Sequence, residues 1–179
     1  MKKNLSKVLL AFTCALGINS FAVAGEEKVY VEGGYLGMYY RESVGNFQHG
    51  MSVVRVGYNA NQYLSIEGMY ANALSNAAFY SGSTYITAKV SSISGAYLKL
   101  KTEPSNGVSV YGKLGVAGGT VSASSSYGSR WAAGRSSSYG AGIQFDSGDK
   151  MYFSAEYMSY YNNYGITVSG PSAAIGFKF

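Results

Sequence analysis

The sequence predicts an all-β chain, an eight-stranded antiparallel up-and-down transmembrane β-barrel. Only 13% of its residues are charged although 47% are hydrophobic, whereas a soluble domain carries about 25% charged residues. Apolar residues recur at every second position in segment after segment, with no sustained helical spacing. The connections between these segments alternate short and long, the rhythm of a meander whose tight turns all lie at one end.

The first element is not part of the barrel. Lys2, Lys3 and Lys7 precede an apolar run over residues 8–16 and then Ala22-Val23-Ala24. That order of basic, apolar and small residues predicts a signal peptide over 1–24, cleaved after Ala24, with the barrel domain over 25–179. A membrane anchor needs about 20 apolar residues, and Asn19 and Ser20 interrupt the run too soon. Cys14, the single cysteine, leaves with the signal. So do three lysines, which lowers the formal charge from +5 to +2 and removes any case for nucleic-acid binding.

Strands are then expected in order. Val29, Val31 and Tyr35 oppose Glu32 in a first strand over 29–39. Val54, Val56 and Tyr58 oppose Arg55 and Gly57 over 52–60. After a polar turn at 59–62, Leu64, Ile66, Gly68 and Tyr70 oppose Ser65 and Glu67. A fourth strand near 91–101 sets Ser92, Ser94, Ala96, Leu98 and Leu100 against Lys99. Val108, Val110, Leu114 and Val116 oppose Tyr111 and Lys113, and Tyr139, Ala141, Ile143 and Phe145 oppose Gly140, Gly142 and Gln144. Met151, Phe153, Ala155 and Tyr157 oppose Ser154 and Glu156; Ala173, Ile175, Phe177 and Phe179 oppose Gly176 and Lys178. Short turns fall near 102–107 and 146–150, and long loops near 40–50, 72–86, 118–136 and 161–170. Pro104 is placed in a turn and Pro171 at a strand entrance, clear of ladder centres.

Alternation alone does not say which face is inside. The polar face carries roughly one charge per strand among glycines and serines, too few for a solvated surface but suited to a lumen that just holds side chains. The expected lumen network is Glu32, Arg55, Glu67, Lys99, Lys113, Glu156 and Lys178, with Arg55 and Glu67 close enough to pair across their hairpin and Lys113 and Glu156 extending the network. On the apolar face, Tyr58, Tyr70, Tyr139, Phe145, Tyr157 and Phe179 sit near strand ends, as interfacial girdles require. A packed polar lumen facing away from lipid follows.

The closing Ala-Ile-Gly-Phe-Lys-Phe, with Ile175, Phe177 and Phe179 alternating, resembles the C-terminal signal read by the bacterial outer-membrane assembly machinery. Residues 54–58 and 65–70 resemble the second and third strands of small outer-membrane β-barrels of the OmpA/OmpX and opacity type, and 111–115 and 154–157 their later strands. The resemblance implies an integral protein of the Gram-negative outer membrane, in contact with lipid and lipopolysaccharide, a monomer with a structural or adhesion-type role. A host or matrix ligand is implied for its loops.

Enzymes exist on this scaffold, which makes a catalytic site the reading to weigh against a purely structural one. The only histidine, His49, falls in the first long loop with no acid to complete a triad, and reads as a solvated loop residue. Neither a cofactor nor a metal is expected: no His/Cys cluster occurs, and Asp146-Ser147-Gly148-Asp149 is a turn too short for a calcium loop. The expected binding surface is the loop set Tyr80, Tyr127, Arg130, Trp131, Arg135 and Tyr161, because Tyr, Ser and Gly with occasional Trp and Arg make adaptable contacts. A small-solute channel is the alternative and a lipid A-modifying enzyme a more distant one.

Overall fold

The computed structural model describes residues 28–179 except 44, 76, 82–83, 126–127 and 149, with the backbone alone at 77–81, 84–86, 88, 123–125 and 129–130. The predicted signal segment lies outside the described residues. Among the described residues nine strands run in order: β1 Val29–Glu42, β2 Gly45–Asn59, β3 Leu64–Ala73, β4 Ala77–Ser81, β5 Thr84–Lys101, β6 Val108–Ser125, β7 Gly128–Ser147, β8 Met151–Asn163 and β9 Ile166–Lys178. All pairings are antiparallel, between sequential neighbours except where β3 pairs with β5, and β1 pairs with β9 to close the sheet. Both β3 and β4 pair with β5, one above the other, so together they form a single stave. The result is the expected barrel of eight staves.

Closure leaves no open edge through the membrane-spanning part, which is what lipid demands of a backbone that cannot bond to water. The outward positions are large and apolar: Leu114 is 63% exposed, Ile66 56% and Leu100 55%. Such a continuous apolar surface would be untenable in water. Tyr35, Tyr70, Tyr139 and Tyr157 ring its upper margin, while Tyr58, Phe145 and Phe179 ring the lower one near the short turns. Ile175, Phe177 and Phe179 face outward on the last strand.

The four long loops expected from composition are mostly strand. β1 and β2 stay paired up to Glu42↔Gly45, and β6 and β7 up to Ser125↔Gly128. β8 and β9 meet at Tyr164-Gly165, both at positive φ (53° and 76°), the twist that suits a two-residue hairpin. Serine and glycine in 118–136 read as loop by local preference, but cross-strand pairing decides strand structure more than intrinsic propensity does. One end of the barrel is therefore tall and the other short. At the short end Asn106-Gly107 makes a second such turn, again with both φ positive.

Two register details also differ from expectation. Pro171 sits inside β9 rather than at its entrance, where the β1–β9 ladder skips from Leu36↔Ser172 to Tyr39↔Ser169. A residue without an N–H is tolerated where no ladder bond is made. In β5 the predicted parity holds from Ser94 to Leu100, all outward, but a bulge between Val90 and Ser92 lets both Val90 and Ile93 face in.

Candidate functional site

The short half of the lumen holds the predicted charges. Glu32, Arg55, Glu67, Lys99, Lys113 and Glu156 are all buried, each delivered inward by the period-two alternation of its strand. Arg55 Nη1 donates to Glu32 Oε2 at 3.1 Å, and Nη2 to Glu156 Oε1 at 2.6 Å and to Ser172 Oγ at 2.7 Å. Lys113 Nζ bridges Glu67 Oε1 at 2.6 Å and Glu156 Oε2 at 2.7 Å. Lys99 Nζ lies 3.6 Å from Glu32 Oε1. Arg55 and Glu67, expected as a pair, are 3.9 Å apart at Nε–Oε1, a salt bridge without a hydrogen bond. These three acids and three bases cancel. An unpaired ion here would face a desolvation cost of several kcal/mol, so mutual neutralisation is the condition for burying them at all.

Lys178 stands apart from this cluster. It pairs with Asp146 at 2.7 Å near the short rim, about a fifth exposed. Parity alone assigns it to the network, and parity says nothing about height along the barrel.

Three tyrosines missed as a set complete the cluster. Tyr30 donates to Glu67 at 2.9 Å, Tyr111 to Glu156 at 3.0 Å and Tyr152 to Glu32 at 2.9 Å, one hydroxyl per carboxylate. The Lys99 ammonium lies 5.1, 4.2 and 5.9 Å from the centres of these three rings, within cation–π range. Each tyrosine is directly paired across the ladder with a glycine: Tyr30↔Gly57, Tyr111↔Gly142 and Tyr152↔Gly176. The rings occupy the space a side chain would need there. A lumen glycine opposite a tyrosine was the available signal.

The tall half of the lumen is apolar, not polar as expected. Leu36, Met38, Met51, Val53, Val90, Ile93, Met158 and Val168 form a buried cluster with Tyr40, Tyr97 and Tyr160. Apolar residues occupy both faces of these strand segments, so alternation loses its contrast and the inward set cannot be told from the outward one.

His49 is not solvated. It is buried on β2, stacked near Phe47, and its Nε2 accepts the Val90 N–H at 2.9 Å. That amide lies between the β3–β5 and β4–β5 ladders, which end at Asn72↔Ser92 and resume at Ala77↔Ala88. The imidazole replaces a missing strand bond. No group of three or more metal-binding side chains occurs among the described residues.

Of the predicted binding surface, Trp131 is 77% exposed on upper β7, Arg135 is exposed on the same strand, and Tyr161 is half-buried with its ring against Gly134. Tyr127 and the side chains of Tyr80 and Arg130 lie outside the described residues. β7 thus brings at least two of the six together at the tall end.

No curated relative matches the chain in sequence. Among solved structures, the attachment invasion locus protein Ail of Yersinia pestis, in complex with the heparin analogue sucrose octasulfate, superposes with a TM-score of 0.64 at 20% identity, covering 85% of this chain and 98% of its own. Neisserial surface protein A gives 0.62 at 15% identity, over 84% and 97%. The N-terminal β-barrel domain of Pseudomonas aeruginosa OprF gives 0.60 at 14% identity, over 87% and 99%. At these identities the likeness establishes the fold. The profile of the outer membrane protein beta-barrel domain matches residues 8–179, and with a closed eight-stave barrel in a lipid-facing coat, the chain belongs to that family of small barrels of the bacterial outer membrane.

Proposed function

We propose that this barrel works at the cell surface through its tall hairpins, as an adhesion-type binding protein, and that its lumen is a structural plug. The observation that carries the reading is the division of labour along the axis. Six mutually neutralising charges fill the short half, while Trp131 and Arg135 stand exposed at the tall end. An exposed tryptophan and an exposed arginine on one strand are the residue types of binding hot spots. Sulfated glycan is the first ligand class to test, since the Yersinia protein was crystallised with a heparin analogue. The same arginine suits lipopolysaccharide phosphates, and Ile175, Phe177 and Phe179 suit the assembly machinery. Export by the 1–24 signal in a Gram-negative cell, a monomeric state and the absence of catalysis belong to this reading; the engagement of His49 by Val90 supports the last.

The test is binding of whole cells, with and without the protein, to host matrix, serum factors and heparin-like glycans. Binding gained with the protein and reduced by Trp131→Ala and Arg135→Ala is the expected result. Equal binding by both cell types would end the proposal.

A further inference from the structure

Above the ion network lies a cavity of about 390 Å³ in the tall half of the lumen. Val90, Ile93, Val121, Ile166 and Val168 line it. Among the described residues that line it the one charged side chain is Glu42, which accepts the Tyr40 hydroxyl at 2.8 Å. The six-charge cluster closes the lumen beneath, so the cavity is a blind apolar pocket of a size that holds a small ligand.

The sheet loses its backbone ladder beside this cavity. The β7–β8 ladder stops at Tyr139↔Ser159, yet β7 continues up to Gly128 and β8 to Asn163. A bulge between Ser159 and Tyr161 in the β8–β9 pairing marks the divergence. Beyond it the two strands are joined by side chains: Ser138 Oγ donates to the Ser159 carbonyl at 2.7 Å, and the Asn162 N–H to Ser136 Oγ at 3.4 Å. Trp131, Ala132, Ala133 and Gly134 of β7, with Tyr160 and Tyr161 of β8, border both this seam and the cavity.

The seam begins above the Tyr139↔Ser159 pair, where Tyr139 is an outward residue of the upper girdle and Tyr157 lies two residues below. Girdle tyrosines sit at the headgroup level, so the stretch without a ladder starts where acyl chains meet headgroups. On the outer wall beside it, a groove containing Ser94, Val116, Ala133 and Arg135 shares Gly118, Gly119 and Gly134 with the cavity. Arg135 is the cation within reach of an anionic headgroup.

We propose that the cavity takes one acyl chain of an anionic amphiphile, threaded through the β7–β8 seam with its headgroup at Arg135. An apolar lining excludes a polar solute, and the closed floor excludes passage through the barrel. The inference goes beyond the adhesion reading and does not rest on it. A free fatty acid and one chain of a bilayer lipid share this chemistry, and the test separates them.

Trp131 is the only tryptophan in the chain and borders the cavity, so its fluorescence reports occupancy directly. In the first arm, the full barrel in unbrominated phosphatidylcholine nanodiscs is titrated with dibromostearate. Saturable quenching at one site per barrel, reversed by unbrominated oleate, is expected for a free fatty acid. Ala132→Phe should abolish that phase, and Arg135→Gln should weaken it about tenfold. In the second arm the disc itself is dibrominated phosphatidylglycerol. Quenching there that Ala132→Phe removes, with no saturable stearate phase, assigns the chain to bilayer lipid. Quenching that rises with bromine content and is the same in Ala132→Phe, or no quenching in either arm, overturns the proposal. Each variant is first checked for heat-modifiable gel mobility; Val121→Phe fills the same space from β6 should Ala132→Phe fail to fold.

Discussion

Arg55 on β2 and Glu156 on β8 meet across the lumen at 2.6 Å, although 101 positions separate them in the chain. No ladder joins their strands, because β1 and β9 stand between. The pair therefore ties together two parts of the wall that backbone bonding leaves independent.

Replacing Arg55 by Met should cost about 3–5 kcal/mol, because Glu32 and Glu156 are left buried with a charge deficit. Glu156→Gln should also destabilise. The double variant Arg55→Met with Glu156→Gln should be less unstable than the two losses added together, since each change relieves the excess left by the other. Urea unfolding of the barrel in liposomes measures all three, and strict additivity would refute the coupling.

Tyr152 and Gly176 make a second coupled pair. Gly176→Val should displace the ring and lower stability by about 1–3 kcal/mol through overpacking, and should free the Tyr152 hydroxyl from Glu32. Gly33→Ala is the control, because nothing lies within 4 Å of a Cβ there. Equal unfolding midpoints for the two variants would remove the steric role assigned to the tyrosine.

The wild-type barrel should show no discrete conductance steps in a planar bilayer, because an ion would have to displace the Arg55, Lys99 and Lys113 pairs and then pass an apolar half. Steps in the wild type would favour the channel reading over the plugged lumen.

His49→Ala should leave the Val90 amide without an acceptor, a loss of about 1–3 kcal/mol for an unsatisfied buried donor. Hydrogen exchange at Val90 should speed up, and His49→Gln, which offers another acceptor, should restore part of the protection. Lipid A from cells carrying wild type and His49→Ala should be identical; a difference would point to catalysis.

The lumen charges were legible because a charged residue opposite an apolar row has only one face to go to. Glu32, Arg55, Glu67, Lys99, Lys113 and Glu156 all follow that parity. Lys178 shows its limit, since parity gives a face and not a height. Leu36, Met51 and Val53 were illegible for the opposite reason: apolar residues on both faces leave no contrast to read. Local composition makes residues 40–50 read as loop and His49 as solvated, and only the pairing of β1 with β2 buries it.

By itself the sequence determined the number of staves, the register that sends apolar side chains to lipid, and the identity of the inward charges. Those are local properties, set by a period of two and by the low tolerance of lipid for charge. The tertiary structure decided which carboxylate meets which cation, which tyrosine lies on which glycine, and where β7 parts from β8. These depend on barrel closure, which brings β1 against β9 and sets Arg55 beside Glu156. No spacing along the chain encodes that distance.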